Sequence, residues 1–348
     1  MRNGIKTLLL FFTLSTLWGC SRLPSISSKG RLNTIAFYNT GNLFDAKDDP
    51  KTADDAFTPT GDMAWTEERY QTKVKQIAQV ISGIGGEGGP AVVGLSEIEN
   101  KQVLEDLVAT SSLRRYNFGI IHYDMPDAQG LDVALLYQPK HFKPTHTETI
   151  KIDFEDKGFS SRDILQVKGE LRGELVTIYV VHWPEPSRTR AGKVNDSRLR
   201  SAAAALRKKI NEQQVADENM KVIVLGDFET EPAAPVMQEV LKATGRPNPY
   251  YKEELFNTLY LPHVNGQGSY ANRGDMQMPD QILISKSLLN GNTGLQYVRG
   301  SAAIYDPEDI KFLFGRYRDT PIRTYSGNLY IGGYSDHFPV YIQVRKER

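Results

Sequence analysis

The chain has 348 residues, and its 42 lysines and arginines equal its 42 aspartates and glutamates, leaving no formal net charge near pH 7. That balance excludes a protein that coats nucleic acid or an anionic membrane by bulk electrostatics, although a local basic patch stays open. A hydrophobic content of 40 % is ordinary for a globular chain able to bury a large core, and the single cysteine, Cys20, excludes an intrachain disulfide.

In chain order, Arg2 and Lys6 precede an apolar segment from Thr7 to Trp18. It is shorter than the ~20 residues that span a bilayer, and its basic-then-apolar order is that of a secretory signal. Gly19-Cys20 closes it and resembles the cleavage site of bacterial lipoproteins. The resemblance implies loss of residues 1–19, diacylation of Cys20, and a lipid-anchored place in the cell envelope, on the periplasmic face of the outer membrane or at the cell surface. Paired acyl chains make a stable anchor where one chain does not. Residues 20–32 read as a tether and residues 33–348 as a single domain.

Residues 34–38 are a strand ending at Asn39, a residue type that also suits turns. After a polar, turn-rich stretch over 45–64, Thr66 is an N-cap with Glu67 and Glu68 in the first turn. Tyr70, Val74, Ile77 and Ile81 share a helical face. The glycine run over 83–89 lacks the Lys-Ser/Thr of a phosphate loop and is a connection. Residues 91–95 are a second strand, with Glu97 just past it, and a helix is expected over 101–111. Strands follow over 118–122 and 132–137, then a hairpin of 164–168 and 174–181 around Gly173, ending at His182.

The loop 187–200 gathers Arg188, Arg190, Lys193, Arg198 and Arg200 against Asp196 alone, and a helix over 197–213 has Leu199, Ala203, Leu206 and Ile210 along one stripe. Val222-Ile223-Val224-Leu225, bounded by Gly226, is a buried strand with Asp227 and Glu229 beyond its end. A helix is expected near 235–244, an irregular region from there to Met278, and a strand over 280–285. After Ser335-Asp336-His337-Phe338-Pro339 comes a last strand to Val344.

Asn39, Glu97, His182 and Asp227 each follow a strand, whereas Asp132, Asp280, Asp336 and His337 each precede one. In an all-parallel sheet the two groups would lie at opposite edges. Strands of opposite direction bring them together, so a single site requires mixed sheets. With helices between the strands, this predicts a four-layer α/β sandwich of two packed mixed sheets flanked by helices.

Glu97, Asp227, Glu229 and Asp336 gathered at one edge would repel, at about 4 kcal/mol for a pair about 4 Å apart in an effective dielectric of about 20. A divalent cation offsets this, and oxygen ligands select Mg²⁺, Mn²⁺ or Ca²⁺ over zinc. Two histidines and a basic loop beside it point to phosphoryl chemistry, with a histidine as acid or base and Asp132 and Asp280 free to fix the imidazole tautomers.

This set, Gly-Asp-Phe at 226–228 and Ser-Asp-His-x-Pro at 335–339 above all, resembles the endonuclease/exonuclease/phosphatase superfamily over about residues 33–345. The resemblance implies Glu97 as main metal ligand, helped by Asp336, with Asn39 touching metal or phosphate. It implies that Asp227 orients or deprotonates the attacking water and that His337, oriented by Asp280, contacts the phosphate and moves protons. His182 matches a second histidine partnered by Asp132, and Arg198 is a candidate phosphate contact. The family usually has Asn where this chain has Glu229, and an ionised carboxylate cannot donate a hydrogen bond. The implied activity is metal-dependent phosphoester hydrolysis by a monomer, on nucleic acid, a nucleotide or a lipid headgroup. The alternative is a non-catalytic lipoprotein that binds a phosphorylated ligand.

Overall fold

The computed structural model describes residues 30–188, 192, 194–291 and 294–347. Cys20, the signal segment and most of the tether lie outside them, as do Arg190 and Lys193. The chain first lays down β1 (Leu32–Leu43), β2 (Val92–Ile98), β3 (Gly119–His122) and β4 (Asp132–Tyr137) in one sheet. A second sheet follows whole: β5 (Phe142–Ile150), β6 (Ile164–Leu171), β7 (Glu174–His182), β8 (Lys221–Asp227), β9 (Ala243–Thr244), β10 (Leu255–Asn257) and β11 (Asp280–Ser285). Then β12 (Gly294–Tyr297), β13 (Ala303–Ile304) and β14 (Val340–Glu347) return to the first sheet. The strand orders are β12-β14-β1-β2-β4-β3, with β13 beside β14, and β9-β10-β11-β8-β7-β6-β5.

Both sheets are mixed, as one shared edge for the polar residues requires. β1 runs parallel to β2 and antiparallel to β14, and β8 runs parallel to β7 and antiparallel to β11. The middle stretches of the central strands, Ile35–Tyr38 and Val222–Leu225 among them, are apolar because both of their faces are covered. Along β1, Ile35 and Phe37 point into the seam between the sheets while Ala36 and Tyr38 point outward, following the two-residue period. Across the seam, Phe37, Leu135, Val180 and Leu225 belong to one buried cluster. Truncating a fully buried leucine such as Leu225 to alanine in this layer would cost about 2–5 kcal/mol.

The outer layers come from three amphipathic helices. α1 (Glu67–Gly83) buries Tyr70, Val74, Ile77 and Ile81, and α2 (Lys101–Ala109) buries Leu104 and Leu107, all against the outer face of the first sheet. α3 (Ser197–Ala216) buries Leu199, Ala203, Leu206 and Ile210 against the outer face of the second. Thr66 caps α1 by accepting from Arg69 N, and Asn100 caps α2 by accepting from Val103 N at 3.0 Å.

The fold departs from the sequence reading at three stretches. Residues 142–150 carry no apolar run, yet they form β5, an edge strand paired only with β6, and Pro144 sits at its register shift. A proline is tolerated there because no partner needs its missing N–H. Residues 235–244 give only a short π-helical turn, Val236–Val240, rather than a full helix. Part of the stretch expected to be irregular, up to Met278, supplies β10 and further short strands.

Candidate active site

The strand ends deliver the chemistry. Asp227 is in register with His182 on parallel β7 and with Asp280 on antiparallel β11, so three titratable groups leave adjacent strands side by side. Gly226 makes this approach possible: a Cβ there would lie 2.5 Å from the Val181 carbonyl oxygen and would also strike the Val181 side chain. On the first sheet, the β2–β4 register shifts between Ser96 and Ile98, and Glu97 takes φ +59° at that bulge. Glu229 likewise has φ +50°. Non-glycine residues in this region cost about 1–3 kcal/mol each and persist where surrounding contacts hold them.

Those contacts are visible. The Glu97 carboxylate is held at both oxygens, Oε1 by Asn39 Nδ2 at 2.9 Å and Oε2 by the Asn42 N–H at 2.7 Å. The same Asn39 amide donates to Asp227 Oδ2 at 2.9 Å, and the Glu229 N–H donates to Asp227 Oδ1 at 2.9 Å. Ser335 donates to the Asn39 carbonyl at 2.8 Å and accepts from the His337 N–H at 3.1 Å, pinning the C-terminal segment to β1. Gly41, at φ +64°, permits that docking, since a Cβ would lie 2.9 Å from Ser335 Oγ and 3.1 Å from Asp336 Oδ1.

The two histidines sit in opposite electrostatic settings. His337 Nδ1 is 2.7 Å from Asp280 Oδ2, which also accepts from Ser269 Oγ at 2.5 Å, and the Tyr270 ring lies against the imidazole at 4.7 Å between centroids. Burial lowers the pKa of His337, but Asp280, Asp336 and Asp227 together raise it well above the ordinary value. His182 Nε2 lies 3.6 Å from Glu229 Oε1 and 3.9 Å from Glu97 Oε1, while its buried Nδ1 has no hydrogen-bond partner among the described residues. Burial first and the Arg162 charge second pull His182 down to about 4. The two imidazoles are therefore biased in opposite directions, His337 toward its cation and His182 toward its neutral form.

Glu229 is the unusual group. Burial, then the charges of Asp227 and Glu185, push its carboxyl well above the usual range. A protonated carboxyl carries an O–H donor, the capacity that the Asn of related sites supplies through its amide.

Several site residues expected from the sequence are placed differently. Asp132 does not touch His182 as a partner; it is hydrogen-bonded to His122 Nε2 at 2.8 Å and to the Met125 N–H at 3.0 Å. His122 reaches it from β3, the strand immediately before β4 in the chain and its antiparallel neighbour. Arg198 is not at the cleft: it pairs with Asp156 at 3.0 Å and stacks over Phe159, and Arg188 lines the cleft instead. Asn39 is fully buried beneath the acids, with its amide committed to Glu97 and Asp227 and its oxygen to the Gly41 N–H. Its amide thus fixes the two carboxylates, and Asn39 is not among the described cleft-lining residues.

Lys73 belongs to no motif in the sequence, yet it supports the site. It is buried, and its ammonium donates to the Gly41 carbonyl and to Thr324 Oγ1, bracing the loop that holds Glu97. Burial lowers it to about 8, against the pull of Asp336 and Glu97. A lysine one position before Val74, four before Ile77, on an otherwise apolar face was the available signal.

Glu97, Glu229, Asp336 and His337 line one open cleft of about 610 Å³. Asp227, Asp280 and His337 lie close enough to bring ligand atoms within 4.8 Å of one another, as do His182, Asp227 and Glu229. This surplus of hard oxygen donors, with both Glu97 oxygens prearranged, fits a divalent cation.

A sandwich of two mixed sheets with this constellation at one edge defines a phosphoesterase fold. The family model described as endonuclease/exonuclease/phosphatase family matches residues 34–346, and the chain belongs to that family, hydrolases that act on phosphoester bonds. No curated protein matches the sequence. Among solved structures, an endonuclease/exonuclease/phosphatase family protein from Bacteroides thetaiotaomicron is 15 % identical with a TM-score of 0.56, covering 92 % of this chain and 99 % of that one. A mannosyl-6-phosphatase from the same organism is 15 % identical with a TM-score of 0.54, covering 90 % and 99 %. TDP2 from D. rerio, complexed with a single-strand DNA product, is 13 % identical with a TM-score of 0.52, covering 90 % and 98 %. At these identities the likeness concerns the fold.

Proposed function

We propose that the chain is a divalent-cation-dependent phosphoester hydrolase in which Glu97 and Asp336 hold the cation and Glu229 lies beside them. The observation that supports this best is the Asp280–His337 pair standing next to Asp227 at the cleft that Glu97 and Asp336 line. When bound, Mg²⁺ or Mn²⁺ would neutralise the phosphate and the charge that builds in the transition state. Asp227, fixed at both oxygens by Asn39 and Glu229 N–H, is a rigid acceptor for the attacking water. His337, with Nδ1 taken by Asp280, presents Nε2 to a phosphoryl or leaving oxygen as a charged donor. His182, biased toward its neutral form, has Nε2 beside Glu229 and Glu97, which line that cleft.

The structural neighbours include one named for a sugar phosphate and one with DNA, so the fold serves small and polymeric substrates alike. The test is hydrolysis of p-nitrophenyl phosphate and bis-p-nitrophenyl phosphate with Mg²⁺ or Mn²⁺. Turnover should be abolished by chelator and by Asp227→Ala; equal rates for wild type and Asp227→Ala would leave only a phosphate-binding lipoprotein. We further propose that the enzyme works from a lipid anchor at Cys20, supported by the N-terminal sequence alone. Cys20→Ser should then move the protein from the membrane to the soluble fraction.

A further inference from the structure

We propose that the end of the sandwich opposite the cleft rests on an anionic membrane surface, so that the cleft faces away from that membrane and takes phosphoesters from solution; this rests on the Cys20 anchor and the hydrolase reading above. The strands that deliver the site residues carry cations at their other ends. Arg31 precedes β1, which leads to Asn39, and Lys140 follows β4, which Asp132 opens. Arg172 stands before β7, which ends at His182, and Lys346 lies near the end of β14, which begins after His337. At about 3.3 Å per residue, the stretch of β1 from Leu32 to Asn39 alone sets the two ends about 23 Å apart.

These cations form one corner. The Arg172 N–H donates to the His141 carbonyl at 3.0 Å, its Nε donates to Asn33 Oδ1 at 2.7 Å, and the Lys346 ammonium donates to the Arg172 carbonyl at 3.2 Å. After burial, the charges of Arg172, Lys140 and Arg31 push the His141 imidazole down to about 4, as cations crowded around one ring do. Lys143 and Lys221 flank them at the starts of β5 and β8. Against these six cations stand Glu174, shared by Lys346 at 3.0 Å and Lys221 at 3.3 Å, Glu170, in register with Lys143, and the exposed Glu87. Two leucines at this end, Leu32 and Leu175, are 51 % and 71 % exposed. Cations set among exposed aliphatic side chains suit the interface of an anionic bilayer, where the charges meet lipid phosphates and the leucines leave water. The entry of the chain selects a bilayer over another polyanion, since Gly30 and Arg31 stand at this end and Cys20 lies ten residues before Gly30. Ten residues reach at most about 36 Å, enough for the domain to turn over, so charge rather than the tether fixes which end rests on the lipid.

The test uses the lipidated full chain, whose one native thiol the lipid occupies, in vesicles of equimolar phosphatidylcholine and phosphatidylglycerol. A fluorophore on Leu175→Cys should be quenched by nitroxide-headgroup lipids, while one on Asn272→Cys at the cleft wall should not. Equal quenching at both, or stronger quenching at Asn272, overturns the orientation. The unlipidated Cys20→Ser chain should sediment with the same vesicles at about 50 mM salt and be released at about 150 mM, a contact that orients the domain without anchoring it. Arg31→Glu combined with Lys140→Glu, both exposed, should weaken this binding at least about tenfold, with Tm and p-nitrophenyl phosphate turnover unchanged. Binding that the double variant leaves intact overturns the membrane assignment, as does a single-stranded oligonucleotide held by this corner more tightly than the vesicles. Loss of all ester turnover with the quenching pattern preserved would remove the hydrolase reading and leave the orientation standing.

Discussion

Asp227 and Asp280 are direct cross-strand partners on strands that run in opposite directions, one residue closing β8 and the other opening β11. Two carboxylates so placed would repel, yet each is engaged by different partners. Asp280 is occupied by His337 and Ser269, and Asp227 by Asn39 and the Glu229 N–H. Hydrogen bonding to the charged forms is what keeps such a pair together.

The contrast between the histidines is measurable. In NMR titrations His337 should stay protonated through neutral pH, because Asp280, Asp336 and Asp227 outweigh its burial. His182 should stay neutral down to about pH 4. Arg162→Gln should shift the His182 titration upward by removing the charge that, after burial, lowers it most. If the His182 ring titrates near pH 6.5 in the wild type, the neutral assignment fails.

Asp132 is expected to matter for stability rather than for turnover. Its carboxyl is raised to about 6 by burial, against the His122 hydrogen bond and charge that lower it. A raised carboxyl means that the folded state binds more protons, so its contribution is greatest at low pH and is lost as pH rises from about 4 to 6. Asp132→Asn should flatten that part of the wild-type stability profile in denaturant melts while changing kcat less than about threefold. His182→Ala should cost about 100-fold in kcat.

Gly226→Ala should harm both folding and chemistry. The new methyl would meet the Val181 carbonyl at 2.5 Å, so β7 and β8 must separate where His182 and Asp227 are in register. A loss of about 2–3 kcal/mol in stability is expected, with turnover falling further than the unfolded fraction explains. Thermal melts run alongside kinetics check this; a variant as stable and active as wild type would rule out the close-approach account.

Cation binding should stabilise the fold. A saturating excess of Mn²⁺, at about 100 times its Kd, adds about 2.7 kcal/mol, read as a rise in Tm. Glu97→Gln should remove most of that rise, and Lys73→Met should reduce it, because Lys73 supports the Gly41–Asn42 turn that orients the Glu97 carboxylate.

The main features of the site were readable in the sequence because strand ends are easy to see. Apolar runs bounded by glycine or acids placed Glu97, His182 and Asp227, and the requirement for one shared edge implied mixed sheets. The partner of Asp132 was overlooked although it lies close in the chain: His122 ends the preceding strand, ten residues away, and the carboxylate was assigned to His182 instead. β5 escaped notice because an edge strand need not be apolar, and Lys73 because a cation on a buried face contradicts the periodicity that defines the face. Asn39 was seen as a strand-end polar group, but its depth came only from the bulge that carries Gly41 and Asn42 over it.

Because β14 slots between β1 and β12, and Asp336 and His337 immediately precede it, the edge that gathers these two with Glu97 and Asp227 is assembled only once β14 has paired. Cutting the chain before β14 should therefore silence the protein more thoroughly than many substitutions in its interior.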